Sequence, residues 1–201
     1  MRLLLRFIYG GNVEDVHLDD MVPLMACADH YSVGALRDTI SNHLRDSITP
    51  ETACTVLALA RTYQQEHVID RYLSFILTHA QQVAKTDGFL HLDVAVLLKI
   101  LEADEARIEE IDLFKALVRW YHHWSKELSE RPDGKQAARL FASVRYGQMT
   151  GQQLVAEVKP LVSEIVPLDL YLQALEQVAA PGLPTIEASS KQSMRRQPPI
   201  G

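Results

Sequence analysis

Cysteine is nearly absent: Cys27 and Cys54 are the only two among 201 residues. They stand apart, without a Cys-x-x-Cys spacing, and read as buried free thiols in a reducing compartment rather than as a disulfide or a metal clip. Long apolar runs are missing too. None reaches the ~20 residues that span a bilayer, so no membrane segment is expected. The opening Met-Arg-Leu-Leu-Leu-Arg-Phe-Ile-Tyr starts with a charge and turns apolar. It lacks a long uninterrupted hydrophobic region and a small-residue cleavage site, so it does not read as a signal peptide. Positive charge is not in excess. A formal net charge of −6 argues against general nucleic-acid binding, which depends on neutralising phosphates. Catalytic signatures are lacking as well: there is no HExxH, no GxSxG, no phosphate-binding glycine loop and no GxGxxG. Eight histidines show no ligand spacing, and the adjacent His122 and His123 point about 100° apart on a helix. Asp104-Glu105 and Glu109-Glu110 read as solvated helix starts. No enzyme activity, cofactor or metal is expected.

Segments that alternate with period two are scarce, whereas helical periodicity runs through the chain. Its strongest stretch is Ile108 to Lys126, where Leu113, Leu117, Trp120 and Trp124 recur at i, i+4, i+7 and i+11. Phe114, Val118 and Tyr121 widen the stripe. Glu109, Glu110 and Asp112 sit where carboxylates favour the positive end of the helix dipole. This helix is expected to be a core element with helices on both sides.

Before it, Leu3, Leu4, Phe7 and Ile8 predict a first helix stopped by Gly10-Gly11-Asn12. A short strand is expected at most around Val13. Asp19 and Asp20 open a second helix through Val22, Met25 and Ala26, with Pro23 placed in its first turn. Ser32 is the expected N-cap of a third through Leu36, Ile40 and Leu44. Thr49-Pro50-Glu51 is a clean helix start, with a capping hydroxyl, a proline at the first position and then an acid. A further helix from Glu66 is expected to carry Ile69, Leu73, Ile76, Ala80 and Val83 on one face. With so short a connection, the pair should form an antiparallel hairpin. Val94, Leu97, Leu98 and Leu101 predict a shorter helix before the central one. Beyond it, Pro132-Asp133-Gly134 predicts a turn. Helices follow around Ala138 to Arg145, from a Thr150 cap through Leu154, Val155 and Val158, and from Leu168 to Val178. From Ala179 onward the composition turns to Pro, Gly, Ser, Lys and Arg, and a disordered tail is expected. No internal repeat of fixed period is evident. The fold class expected is all-α, an array of helical hairpins.

The run Leu4-Leu5-Arg6-Phe7-Ile8-Tyr9-Gly10-Gly11-Asn12-Val13 resembles the LLRYIYTGxV signature in the second half of a BTB (POZ) domain. Val22, Leu24, Ala28, Asp29, Tyr31 and Leu36 continue that domain's spacing. From Ile48 onward the chain resembles a BACK domain, most specifically in Glu110-x-x-Leu113-Phe114-x-Ala116-Leu117-x-Arg119-Trp120, close to ExxVFxALxRW. Val144-Arg145-Tyr146 with Met149-Thr150 is similar to the later VRFPLMT segment. The resemblance implies the C-terminal half of a BTB domain over residues 1–47, a BACK domain over 48–178 and a tail over 179–201.

Proteins of this family typically recruit substrates to cullin-based RING ubiquitin ligases, so the resemblance implies a cytoplasmic or nuclear adaptor with a cullin as partner. It puts Asp29, His30, Tyr31 and Ser32 at the helix junction facing the cullin, with Thr49, Pro50 and the helix pair from Glu51 to Leu77 making the neighbouring groove. The family's N-terminal strands and helices are not seen ahead of Leu3. Leu3, Leu4, Phe7 and Ile8 would then form an apolar face open to homo-oligomerisation. The alternative expectation is a helical interaction or oligomerisation protein without a ligase role.

Overall fold

The computed structural model describes residues 2–11, 16–125, 134–162 and 164–179. It is all-α. Among the described residues there is no strand, only an isolated bridge between Val162 and Val166. The region around Val13, the Pro132-Asp133 turn and the tail from residue 180 lie outside the described residues. The chain divides into two compact units, residues 1–91 and 92–201.

The first unit holds α1 (Arg2–Ile8), α2 (Leu18–His30), α3 (Gly34–Asp46), α4 (Pro50–Thr62), α5 (Glu66–Thr78) and the short α6 (Ala80–Val83), followed by a 3-10 turn at Gly88–His91. The expected stop of α1 is present. Gly10 takes φ 91 and Gly11 N–H donates to the Arg6 carbonyl at 2.9 Å. A Cβ on Gly11 would lie 2.8 Å from that carbonyl oxygen, so the return of the chain over the helix end needs glycine. α2 begins one residue earlier than the acids suggested, with the His17 ring accepting the Asp19 N–H. Pro23 therefore falls inside the helix rather than in its first turn. The intrahelical bond it withholds belongs to Asp19, whose carbonyl is near water on the exposed face.

Thr49 caps α4 as expected. Its hydroxyl accepts the Thr52 N–H at 3.3 Å while Thr52 Oγ1 accepts the Thr49 N–H at 3.2 Å, a reciprocal box with Pro50 at the first helical position. Ser32 does not cap α3. It has φ 58, in the left-handed region, and Val33 holds the N-cap position with no side-chain bond. The turn's geometry demands this: Val33 N–H reaches back to the Ala28 carbonyl at 2.8 Å, which requires a left-handed residue just before it. The buried face of α5 is Val68, Tyr72 and Ile76, shifted by one residue from the expected Ile69 and Leu73, which are half-buried. Tyr72 decides the shift, because its hydroxyl has a carbonyl to reach: it donates to Leu44 O at 2.8 Å. Helix α5 ends at Thr78, so Ala80 and Val83 belong to α6.

A repeat that the sequence did not reveal organises this unit. α2 and α4 begin at Leu18 and Pro50, α3 and α5 at Gly34 and Glu66, and all four are 13 residues long. The offset is 32 residues in both pairs, and the buried residues obey it. Met21, Val22, Leu24, Met25 and Ala28 correspond to Ala53, Cys54, Val56, Leu57 and Ala60. Leu36, Ile40 and Leu44 correspond to Val68, Tyr72 and Ile76. α2 packs on α3, α4 on α5 and α2 on α4, so two equivalent hairpins stack side by side.

The second unit contains α7 (Val94–Glu102), α8 (Glu110–Ser125), α9 (Gly134–Ala142), α10 (Gly151–Gln153) and α11 (Leu168–Ala179). Asp93 caps α7, accepting Val96 N–H at 2.8 Å. The expected central helix is α8, starting at Glu110 rather than Ile108. Leu113, Phe114, Leu117, Trp120 and Tyr121 are buried, while Trp124 is only half-buried. Trp120 is 2% exposed and its indole N–H donates to the Leu92 carbonyl at 2.9 Å. Thr150 caps α10 in a reciprocal box with Gln153. Three residues on, the helix widens into a π turn over Leu154–Val158, closed by Lys159 N–H on Leu154 O, and then a 3-10 turn containing Pro160. This departs from the single helix expected there: Pro160 has no N–H to continue the ladder.

Candidate partner-binding surface

Asp29 and His30 are the last two residues of α2, and Tyr31 and Ser32 complete the turn into α3; all four are exposed. Tyr31, at 50% exposed, does not cap the core. Its ring meets that of His30 edge-on, with centroids 4.9 Å apart. Beside this turn opens a groove of about 330 Å³ lined by Asp29, Arg37, Asp38, Ser41 and His67. Arg37 lies in it as a shared cation, 3.0 Å from Asp38 and 3.9 Å from Asp29. These pairs are exposed, so each is weak, but together they order the groove's floor.

Thr49, Pro50 and Glu51 form the start of α4. They follow the end of α3, which runs back along α2, so they lie one helix length from the Tyr31 turn. Thirteen residues at about 1.5 Å each separate the two groups by roughly 20 Å. The structure therefore brings Asp29–Ser32 together as one turn and Thr49–Glu51 together as one cap, at opposite ends of the stacked hairpins. Sequence reasoning missed Arg37, Asp38 and Ser41, whereas His67 falls within the helix pair Glu51 to Leu77 that the resemblance implied. Arg37 and Asp38 read as an ordinary polar helix face, and only folding brings His67 of α5 beside them.

Of the residues that carried the BACK resemblance, Glu110, Arg145 and Tyr146 are structural. Glu110, expected to be solvated, is 6% exposed. Its Oε1 accepts the Arg145 N–H at 2.8 Å, and the Arg145 guanidinium, 10% exposed, donates to Asp104 Oδ1 at 2.7 Å. These bonds tie the start of α8 and the end of α7 to the turn after α9. Tyr146 follows, its hydroxyl donating to Phe141 O at 2.9 Å. Burial raises its pKa well above the usual phenol range, and the Glu110 charge adds to the shift. Of the two thiols, Cys54 is buried and Cys27 half-buried rather than both enclosed; both are free. Burial pushes the Cys54 thiol up to about 12, which makes it inert as a nucleophile near neutrality. Among the described residues, no cluster of His, Cys, Asp and Glu could hold a metal, and no helix is long and apolar enough to cross a membrane.

Stacked helical hairpins, a second all-helical unit clasped through buried polar residues, and an exposed aromatic turn define a helical-array protein. The sequence model of one such family, BTB And C-terminal Kelch (BACK), matches residues 53–159, more than half of the chain, and the chain belongs to that family. It is 28% identical over 176 residues to BTB/POZ domain-containing protein 9 of Rattus norvegicus, covering 87% of this chain and 27% of the relative. It is also 26% identical over 200 residues to Kelch-like protein 13 of Mus musculus, covering 97% of this chain and 29% of the relative. A third match is the serine-enriched protein of Drosophila melanogaster, 26% identical over 187 residues, covering 90% and 14%. The chain thus spans less than a third of the length of these relatives.

Proposed function

We propose that the chain is a protein-interaction adaptor that binds the N-terminal domain of a cullin and so connects a client to a RING ubiquitin ligase. In this proposal residues 1–47 act as the C-terminal half of a BTB domain, 48–178 as a BACK domain and 179–201 as a tail. The protein would work in the cytoplasm or nucleus. The observation that carries the reading is the α2–α3 turn. Asp29, His30, Tyr31 and Ser32 are all solvent-facing, and a half-exposed tyrosine beside a histidine is the kind of amphipathic anchor that protein interfaces use. Thr49, Pro50 and Glu51 would make a second, separate contact along the same pair of hairpins.

A second reading is favoured by α1. Of the four residues expected to form an open apolar face, Leu4 is buried, Leu3 and Phe7 are half-buried and only Ile8, at 55%, is open; Leu5 at 48% and Tyr9 at 86% lie open beside it instead. In that reading the chain associates through α1 with a second copy and has no ligase role. Calorimetric titration of the full chain with a cullin N-terminal domain, with light scattering on the same sample, tests both. Saturable micromolar binding supports the adaptor, and its loss in Tyr31→Ser locates the contact. A folded chain that scatters as a dimer and does not bind cullin would replace the adaptor reading with the second one.

A further inference from the structure

α11 carries two apolar stripes where one would hold it to its unit. Tyr171, Ala174 and Val178 recur at i, i+3 and i+7; the first two are buried and Val178 is half-buried. Close contacts fix the helix in that posture. It packs on the 3-10 turn at Tyr146–Gln148 and on the π turn. Gly147 leaves the Gln177 side chain the space that a Cβ would take, and a Cβ on Gly151 would meet the Val178 side chain at 3.4 Å.

The second stripe is Leu168, Leu172, Leu175 and Ala179, at i, i+4, i+7 and i+11. At about 100° per residue these four fall within roughly 60° of one another and about 100° from the buried stripe. Leu168 is 52% and Leu172 48% exposed, Leu175 is half-buried and Ala179 is exposed. Alternating steps of four and three residues make the seam of paired helices, so the shape that fits is another helix lying along α11. Asp169 and Glu176, both exposed, border the stripe on the side away from the buried face. They are seven residues apart, about 10 Å along the axis. α11 has no Lys or Arg to offset them.

Charge selects the occupant. A second copy of α11 would bring four carboxylates to one seam with no cation among them, which opposes pairing. Residues 180–201 hold Lys191, Arg195 and Arg196, but beyond Ile186 their only large apolar residues are Met194 and Ile200, which make no helical stripe. We infer that Leu168, Leu172, Leu175 and Ala179 dock an amphipathic helix of another protein, with leucine-like residues at the same steps and Lys or Arg seven residues apart along one flank. Those cations meet the carboxylates of Asp169 and Glu176. The surface belongs to the second unit and does not depend on the cullin reading.

The probe is a fluorescein-labelled, alanine-rich helical peptide of about 18 residues with Leu at those four steps and two flanking Lys, titrated with the full chain by anisotropy. Two comparison peptides carry Glu in place of Lys, or the same residues with the leucines shuffled out of register. The Lys peptide is expected to bind best. Leu168→Ala and Leu172→Ala should each weaken it about fivefold, because each forfeits about half of a leucine's transfer free energy. Both should keep the thermal melt, since the side chains are exposed and alanine favours a helix. Asp169→Asn combined with Glu176→Gln should remove the preference for Lys over Glu and the salt dependence. Silence of the Lys peptide, equal binding of the shuffled one, or a Leu172→Ala chain that binds as tightly as the original overturns the inference. A chain that light scattering finds dimeric and that Leu172→Ala makes monomeric replaces the foreign helix with a second copy. Tighter peptide binding after Arg195→Glu with Arg196→Glu would put the chain's own tail on the stripe, and also overturns it.

Discussion

Trp120→Ala should destabilise the second unit more than any other single substitution in α8, and Trp124→Ala should cost far less. Periodicity puts both tryptophans on one stripe, but Trp120 is 2% exposed whereas Trp124 is half-buried. Truncating a fully buried tryptophan removes its transfer free energy and leaves a cavity, about 3–5 kcal/mol together. The lost indole N–H also strips the Leu92 carbonyl of a donor in a buried position, which adds to the strain on the start of α7. Each kcal/mol moves the melting temperature by about 4–8 °C in a unit of this size, so Trp120→Ala should lower it by about ten degrees or more. Trp120→Phe keeps most of the ring and loses the N–H, so it should recover most of that loss. Circular dichroism at 222 nm during urea and thermal unfolding is the assay, since it does not depend on the fluorophore being removed. Equal losses for Trp120→Ala and Trp124→Ala, or a Trp120→Ala melt within a degree of the original, would refute the assignment of Trp120 to the core.

Ser32→Gly and Gln64→Gly should each leave the fold intact and stabilise it by up to about 1 kcal/mol, because both relieve a side chain held at positive φ. Opposite signs for the two in urea titrations would break the equivalence of the turns. For Cys54, burial raises the folded pKa from the ordinary 9.0 to about 12. Its contribution to stability is therefore complete below about pH 9 and is lost as pH rises toward 12. Tyr72, raised from 10.0 to about 12 by burial, acts in the same direction. Unfolding free energy should fall across pH 9–12, and Cys54→Ala should flatten the lower part of that fall; an unchanged slope would remove Cys54 as a cause. A disulfide-exchange reagent at neutral pH should label half-buried Cys27 well before Cys54.

What the sequence made legible was whatever local spacing controls. The helix starts at Thr49-Pro50 and Thr150, the stop at Gly10-Gly11 and the stripe of α8 were all readable, since each depends on neighbours within four residues. Misreadings arose where a partner distant in sequence decided the outcome. Tyr72 turned α5 by one residue because its hydroxyl bonds Leu44 O, 28 positions away. Glu110 looked solvated because the N–H it accepts belongs to Arg145, 35 positions away. Ser32 looked like a cap because a serine before a helix usually is one, but the six-residue closure from Val33 to Ala28 required a left-handed residue at that place. Of the candidate surface, the resemblance supplied the α2–α3 turn and the helix pair that starts at the Thr49 cap, and folding added Arg37, Asp38 and Ser41.

The repeat escaped notice for a physical reason. Its buried positions share burial but not identity: Met21 answers to Ala53, Met25 to Leu57 and Ile40 to Tyr72. A core asks only that total volume be filled, and these exchanges compensate one another across the packed pairs. What recurs without that freedom is the turn, with an alanine at 28 and 60 whose carbonyl is closed upon, a tyrosine at 31 and 63, and a left-handed residue at 32 and 64. Alanine is explained by the close backbone return, and the left-handed residue by the closure. The tyrosines are explained by neither; they are 50% and 41% exposed.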